Sequence, residues 1–155
     1  MRLYRIARRP YSDLSGAGGL HHPGRWHDRG HRILYTASSI ALAAVEFAVH
    51  SSTRPADTML LEIEFDGLLK HVEDVIGGPL PDNWASDHAH TRPIGTQWLT
   101  EGMAVGLSVP SIVIPLERNI LLNPDHPDFI AVRALSCKPF FFDPRLFTRS
   151  GNDRN

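Results

Sequence analysis

Residues 33–51 read ILYTASSIALAAVEFAVHS, and the order of residue types in this stretch sets the rest of the reading. ILYTA (33–37) is a short apolar run with β-branched and aromatic members, the pattern of a buried strand. Ser38 and Ser39 then stand where a helix should begin. A serine oxygen there accepts a hydrogen bond from an N–H that the first helical turn leaves unpaired. IALAAVEFAVHS follows and is apolar on nearly every side, so the helix is expected inside the domain. Glu46 interrupts it. Its neighbours one turn away are Leu42, Ala43, Val49 and His50. A carboxylate in such company is costly unless it is partnered or put to use. It could pair with His50, face solvent along a narrow stripe, or sit in a partly desolvated pocket and act on a developing cation.

Working outward, RLYRIAR (2–8) reads as a strand, and residues 9–32, rich in Gly, Pro, His and Arg, as a long irregular loop. Loops of that length are often functional. On the other side, TMLLEIEFD (58–66) alternates. Met59, Leu61, Ile63 and Phe65 fall on one face, with Glu62 and Glu64 on the other, as in a half-exposed strand. Residues 77–95 are turn-rich, and a short helix is expected around Thr96–Met103. LSVPSIVIP (107–115) reads as a strand broken at Pro110, which cannot donate to a ladder. NILLN (119–123) is a further strand, 125–130 one helical turn, and AVRALSCKPFFFD a last strand. Strands and helices mix without a βαβ repeat, which gives one α+β domain over 1–148 and a polar tail over 149–155.

The chain has 155 residues, 42% apolar and 21% charged, enough for a core without disulfides or structural metal. Its net charge of −1 argues against nucleic acid as a partner, because duplex binding needs a basic excess to displace counterions. Cys137 is the single cysteine, and no run reaches signal-peptide or membrane-span character, so a cytoplasmic protein away from membranes is expected. Six of the nine histidines cluster, at His21, His22, His27 and His31 and again at His88 and His90, but without carboxylates or cysteine at ligand spacing, so no metal site is expected. GAGGLHHPG (16–24) fails as a dinucleotide loop, since His21 stands where the third glycine belongs. Asn123, Pro124 and Asp128 read as turn-formers, and Trp84 and Trp98 as core or rim aromatics.

Three further residues draw notice beside Glu46. Arg25 follows Gly24 in HHPGRWHDRG, where an arginine could clamp a phosphate or remain a solvated surface charge; Trp26 next to it offers a large flat side chain. Tyr35 precedes the Glu46 helix and could pack in the core with its hydroxyl at the rim. Ser111 follows Pro110 and could be a strand-edge serine bonded to backbone.

Taken together, GRWHDRGHRILYTASSIALAAVEFAVH, SVPSIVIPLERNILLNPDHPDF and FFFDPRL resemble the RES domain, named for its Arg, Glu and Ser positions, over most of the chain. The family supplies toxins of RES–Xre toxin–antitoxin pairs. The resemblance places the family's arginine, tyrosine, glutamate and serine on Arg25, Tyr35, Glu46 and Ser111. One departure is His27, where relatives often carry asparagine. The resemblance implies an ADP-ribosyltransferase-like mixed sheet with a buried helix carrying Glu46. It implies cleavage of the nicotinamide–ribose bond of NAD⁺, which is substrate rather than cofactor, by hydrolysis or phosphorolysis. Glu46, Arg25, Tyr35 and Ser111 would be catalytic, with Arg25, Trp26, Tyr35 and Ser111 touching substrate. An Xre-type antitoxin would be the protein partner. The alternatives are ADP-ribosyl transfer to a host protein and a non-catalytic module that binds an anion.

Overall fold

The computed structural model describes residues 1–147; the tail expected over 149–155 lies outside the described residues. In chain order the elements are β1 (Arg2–Arg8), α1 (Gly18–His21), β2 (Leu34–Ala37), α2 (Ile40–Ala48), β3 (Thr58–Phe65), β4 (Leu69–His71), α3 (Val72–Ile76), α4 (His88–Glu101), β5 (Gly106–Pro110), β6 (Arg118–Leu122) and β7 (Val132–Phe140). The strands form one sheet in the order β4-β5-β6-β2-β1-β3-β7. Neighbours are antiparallel except β4 and β5, so the sheet is mixed.

Strand alternation decides what each face of the sheet buries. Tyr35 lies in register with Leu121 and Leu121 with Leu107, so these side chains share a face. On that face Leu107, Val109 and Leu121 pack with Val72 of α3 and Trp98 and Leu99 of α4. Further along it, Ile6, Ala37 and Leu60 pack with Leu42 and Ala43 of α2. The opposite face carries Leu3, Leu34, Leu61, Ile63, Ile120 and Leu122, closed over by Leu14 from a loop and Phe129 from a short 3₁₀ helix.

β1 and β3 pair along their whole length, from Arg2 opposite Glu64 to Arg8 opposite Thr58. By contrast, β1 meets β2 at a single register pair, Tyr4 opposite Ala37. Toward Leu34 the two strands part, and the sheet has a seam between two halves. The Arg5 guanidinium reaches across it, Nη1 donating to the Tyr35 carbonyl at 3.1 Å.

Several expectations need correction. α2 is capped by Ser39, whose Oγ accepts from Leu42 N at 3.1 Å, but the helix is not enclosed: Leu42 and Ala43 are buried while Ile40 is exposed, as is Val49 just past the last turn. It lies on the sheet rather than within it, so only one side of its apolar surface finds cover. The helix expected from Thr96 begins at His88, inside the stretch read as turns, and contains Pro93. Asp87 caps it by accepting from His90 N at 3.1 Å, and burial of Thr91, Gly95, Trp98 and Leu99 holds it despite the missing proline N–H. β3 is buried on both faces over Thr58–Leu61 because α2 covers its second face, and Glu62 and Glu64 are half-buried. β5 ends at Pro110, and the following residues turn rather than continue. The turn expected over 125–130 is a 3₁₀ helix, Pro127–Ala131. β4 and α3 had no counterpart in the sequence reading. Among the described residues no helix is long and apolar enough to cross a membrane.

Candidate active site

Glu46 lies one turn beyond Leu42 and Ala43, the buried residues of α2, and so points to the sheet side of the helix. Pro110 ends β5, and the chain then folds back through a turn built on Ser111. The Ser111 Oγ accepts from the N–H groups of Val113 (3.1 Å) and Ile114 (2.9 Å) and donates to Glu46 Oε1 at 2.7 Å. A hydroxyl has one hydrogen and two lone pairs, so all three are engaged within the chain. Ser111 is also 0% exposed. The substrate contact expected of this serine is therefore not what its geometry offers; it holds the carboxylate.

A second donor reaches the same oxygen. Asn119, on β6 opposite Ala37, donates from Nδ2 to Glu46 Oε1 at 2.5 Å. Among the described residues, no hydrogen bond goes to Glu46 Oε2, no cation forms an ion pair with the carboxylate, and His50 makes no hydrogen bond with it.

The loop carrying Arg25 is held by α4. Thr91 Oγ1 donates to the Arg25 carbonyl (2.6 Å), Arg92 Nε to the Gly24 carbonyl (2.8 Å), and Asp28 N to Thr96 Oγ1 (2.9 Å). Gly95 makes this approach possible, because a Cβ there would stand 1.7 Å from the Trp26 carbonyl oxygen. The Arg25 side chain donates to the Ala85 carbonyl at 2.6 Å. Burial lowers the pKa of its guanidinium, and the Glu46 charge works in the opposite direction. Trp26 departs from expectation: the residue is 2% exposed and its ring stacks on Trp84 at 5.8 Å, so its flat face belongs to the core. What it brings to the site is its N–H, donated to the Tyr35 hydroxyl at 3.2 Å.

The Tyr35 hydroxyl also lies 2.9 Å from His27 Nδ1. Burial raises the Tyr35 pKa, so the residue stays a neutral phenol. His27 is 3% exposed, its Nε2 has no partner among the described residues, and burial lowers its pKa from 6.5. A histidine whose folded pKa lies below its unfolded value favours the fold above about pH 6.5 and loses that contribution as pH falls toward the folded value. The melting temperature should therefore fall on acidification below pH 6.5 with a contribution of up to about 1.4 kcal/mol per pH unit from this residue. Melting curves of His27→Asn against the parent, from pH 7 to 5, should show a shallower loss; parallel curves would exclude the assignment.

Glu46, Arg25, Tyr35 and Asn119 line one cavity of about 540 Å³ on the helix-covered face, together with Arg5 and Arg92. Glu46 is the only carboxylate among its lining residues. A wider cleft of about 890 Å³ shares Arg5, Ile6, Tyr35, Phe47 and His50 with it. Arg5, Arg92 and Asn119 were not singled out in the sequence. For Asn119 a signal existed: with Asn123 it is one of the two polar residues that flank the apolar ILL of NILLN. Nothing local marked Arg92. Among the described residues no group of three or more His, Cys, Asp or Glu side chains is placed to hold a metal ion.

Comparison with known proteins adds a relationship. The family described as RES domain matches residues 2–143. A protein of Yersinia enterocolitica named "Toxin Res" is 40% identical over 156 residues, spanning 94% of this chain and 99% of its own length. A protein of Sphingobium sp. named "Prs ADP-ribosylating toxin" is 39% identical over 143 residues, 89% of each. A chain of the M. tuberculosis MbcT–MbcA toxin–antitoxin complex matches with a TM-score of 0.74 at 18% identity, over 94% of this chain and 86% of its own. At that identity the likeness speaks for the fold alone, a single α+β domain built on one mixed seven-stranded sheet.

Proposed function

The chain belongs to the RES domain family, and on that footing we propose that it is a toxin that cleaves the nicotinamide–ribose bond of NAD⁺. The supporting observation is a lone carboxylate, Glu46, facing a cavity otherwise lined by the charges of Arg5, Arg25 and Arg92. A dinucleotide presents the matching pattern, a diphosphate for guanidinium groups and a ribose that turns cationic during reaction.

As the glycosidic bond to the pyridinium nitrogen lengthens, its electron pair leaves with nicotinamide, which departs as a neutral ring and needs no general acid. Positive charge then develops on the ribose, as in glycoside hydrolysis. A fixed negative charge beside it stabilises that state more than the ground state, the condition for catalysis. Glu46 takes this role through Oε2, while Ser111 keeps the carboxylate oriented. Arg25 and Arg92 face the diphosphate, and the uncharged phenol of Tyr35 flanks the nicotinamide end.

The acceptor at the ribose carbon is water or phosphate. The name of the Sphingobium relative favours a second reading in which a protein side chain is the acceptor. An Xre-type antitoxin is the proposed partner, in keeping with the toxin–antitoxin complex that shares the fold.

Purified protein incubated with NAD⁺ labelled in its adenylate half separates these readings. Nicotinamide release with free ADP-ribose, or its phosphate ester, is expected; label on protein instead would select the transferase reading. Absence of any nicotinamide release would overturn the proposal.

A further inference from the structure

We propose that Asn119 is a positioning residue of the Glu46 carboxylate, fixing which of its oxygens meets the ribose. This rests on the NAD⁺-cleaving reading above.

Two donors from separate elements converge on one oxygen: Ser111 Oγ at 2.7 Å from the turn after β5, and Asn119 Nδ2 at 2.5 Å from β6. Each donor is itself anchored. Ser111 is tied by two backbone N–H groups, and Asn119 by a strand register that pairs it with Ala37 on one side and Val109 on the other. A glutamate side chain otherwise has freedom about its torsions, so two fixed donors on Oε1 define where the carboxylate plane lies. The other oxygen, Oε2, accepts nothing among the described residues and belongs to a residue lining the cavity.

The chemical type of the donors also matters. Both are neutral. An arginine or lysine in the same place would orient the carboxylate equally well but would cancel its charge, the property the reaction needs. Among the described residues no cation lies within ion-pair distance of Glu46. Geometry is thus fixed by an amide and a hydroxyl while the negative charge is left for the ligand. Since a carboxylate can only accept, the Asn119 amide must present its NH₂ to Glu46, and its Oδ1 accepts no hydrogen bond among the described residues.

Two variants test this in the full chain. Asn119→Ala should lower kcat for NAD⁺ cleavage about 10- to 100-fold while KM changes less than about 3-fold, because orientation is lost and the cavity remains. Asn119→Asp sets two carboxyl groups at hydrogen-bond distance, where like charges oblige them to share one proton. At low pH the introduced O–H donates to Glu46 as the amide does; at higher pH the proton leaves and the two charges repel. Asn119→Asp should therefore keep kcat within about 3-fold of the parent near pH 5 and fall at least about 10-fold below it by pH 8. A purely structural asparagine would not create that alkaline limb.

A second measurement is independent of turnover. The carboxyl pair in Asn119→Asp holds its proton more tightly folded than unfolded, so the melting temperature of this variant should drop, relative to the parent, as pH rises through the same window. An Asn119→Asp profile parallel to the parent in both kcat and melting temperature would overturn the proposal, as would an unchanged kcat in Asn119→Ala. If the parent releases no nicotinamide, the NAD⁺ reading fails, while the melting curves still decide whether Asn119 holds Glu46.

Discussion

Glu46→Gln is expected to lower NAD⁺ cleavage by about 10³-fold and to leave the fold intact. Glutamine has nearly the shape of glutamate, and its amide oxygen can still accept from Ser111 Oγ and Asn119 Nδ2, the two bonds that Glu46 Oε1 receives. What disappears is the charge. A unit charge about 4 Å from a developing cation contributes on the order of 4 kcal/mol at an effective dielectric near 20, which is roughly three powers of ten in rate. Nicotinamide release measured by chromatography, beside a melting curve within a few degrees of the parent's, would bear this out. Turnover within tenfold of the parent would remove Glu46 from the chemistry.

The largest effect on stability is expected at Gly95. In α4 the Gly95 Cα lies so close to the neighbouring loop that a methyl group would stand 1.7 Å from the Trp26 carbonyl oxygen and 2.8 Å from its carbon, both backbone atoms that cannot swing aside. Gly95→Ala must push α4 and the Arg25 loop apart, straining the bonds from Thr91, Arg92 and Thr96 that bind them together. Overpacking of this kind costs about 3 kcal/mol, a fall of roughly 6–12 °C in melting temperature for a domain of this size. Gly18→Ala is the control, because nothing lies within 4 Å of its added Cβ, and it should shift the melting temperature by less than about 2 °C. Equal melting temperatures for the two variants would show that the helix and loop are not in register as described. NAD⁺ cleavage by Gly95→Ala should also fall at temperatures where it stays folded, since Arg25 moves with its loop.

Legibility of the molecule in its residues follows the range of the interactions. The β2–Ser39–α2 unit is visible because its causes are local: an apolar run, a capping oxygen three residues from its donor, and an apolar helix. Glu46 stands out for the same reason, a charge in a greasy neighbourhood. Its partners do not, because Ser111 and Asn119 lie 65 and 73 residues away. α4 was hidden by Pro93 and Gly95, which read as breakers; the helix survives because Trp98 is wholly buried against the sheet and Gly95 is needed for close approach. β4 is three residues long and exists through its parallel pairing with β5, so no periodicity could announce it. The direction of the Trp26 ring is set by Trp84, far along the chain. The grouping of Arg25, Tyr35 and Glu46 was reached through family resemblance, whereas none of the three revealed the others by spacing alone.

The seam in the sheet has a bearing on how a ligand enters. Where β1 and β2 separate, no ladder must be broken to make room, and the Tyr35 carbonyl that would otherwise go unpaired is served by Arg5. Arg5 spans the gap and lines both cavities beside it, so a long, flexible guest lying along them is accommodated with no melting of secondary structure on arrival. Its affinity is then not reduced by a remodelling step, and free and occupied forms should differ mainly in side-chain rotamers.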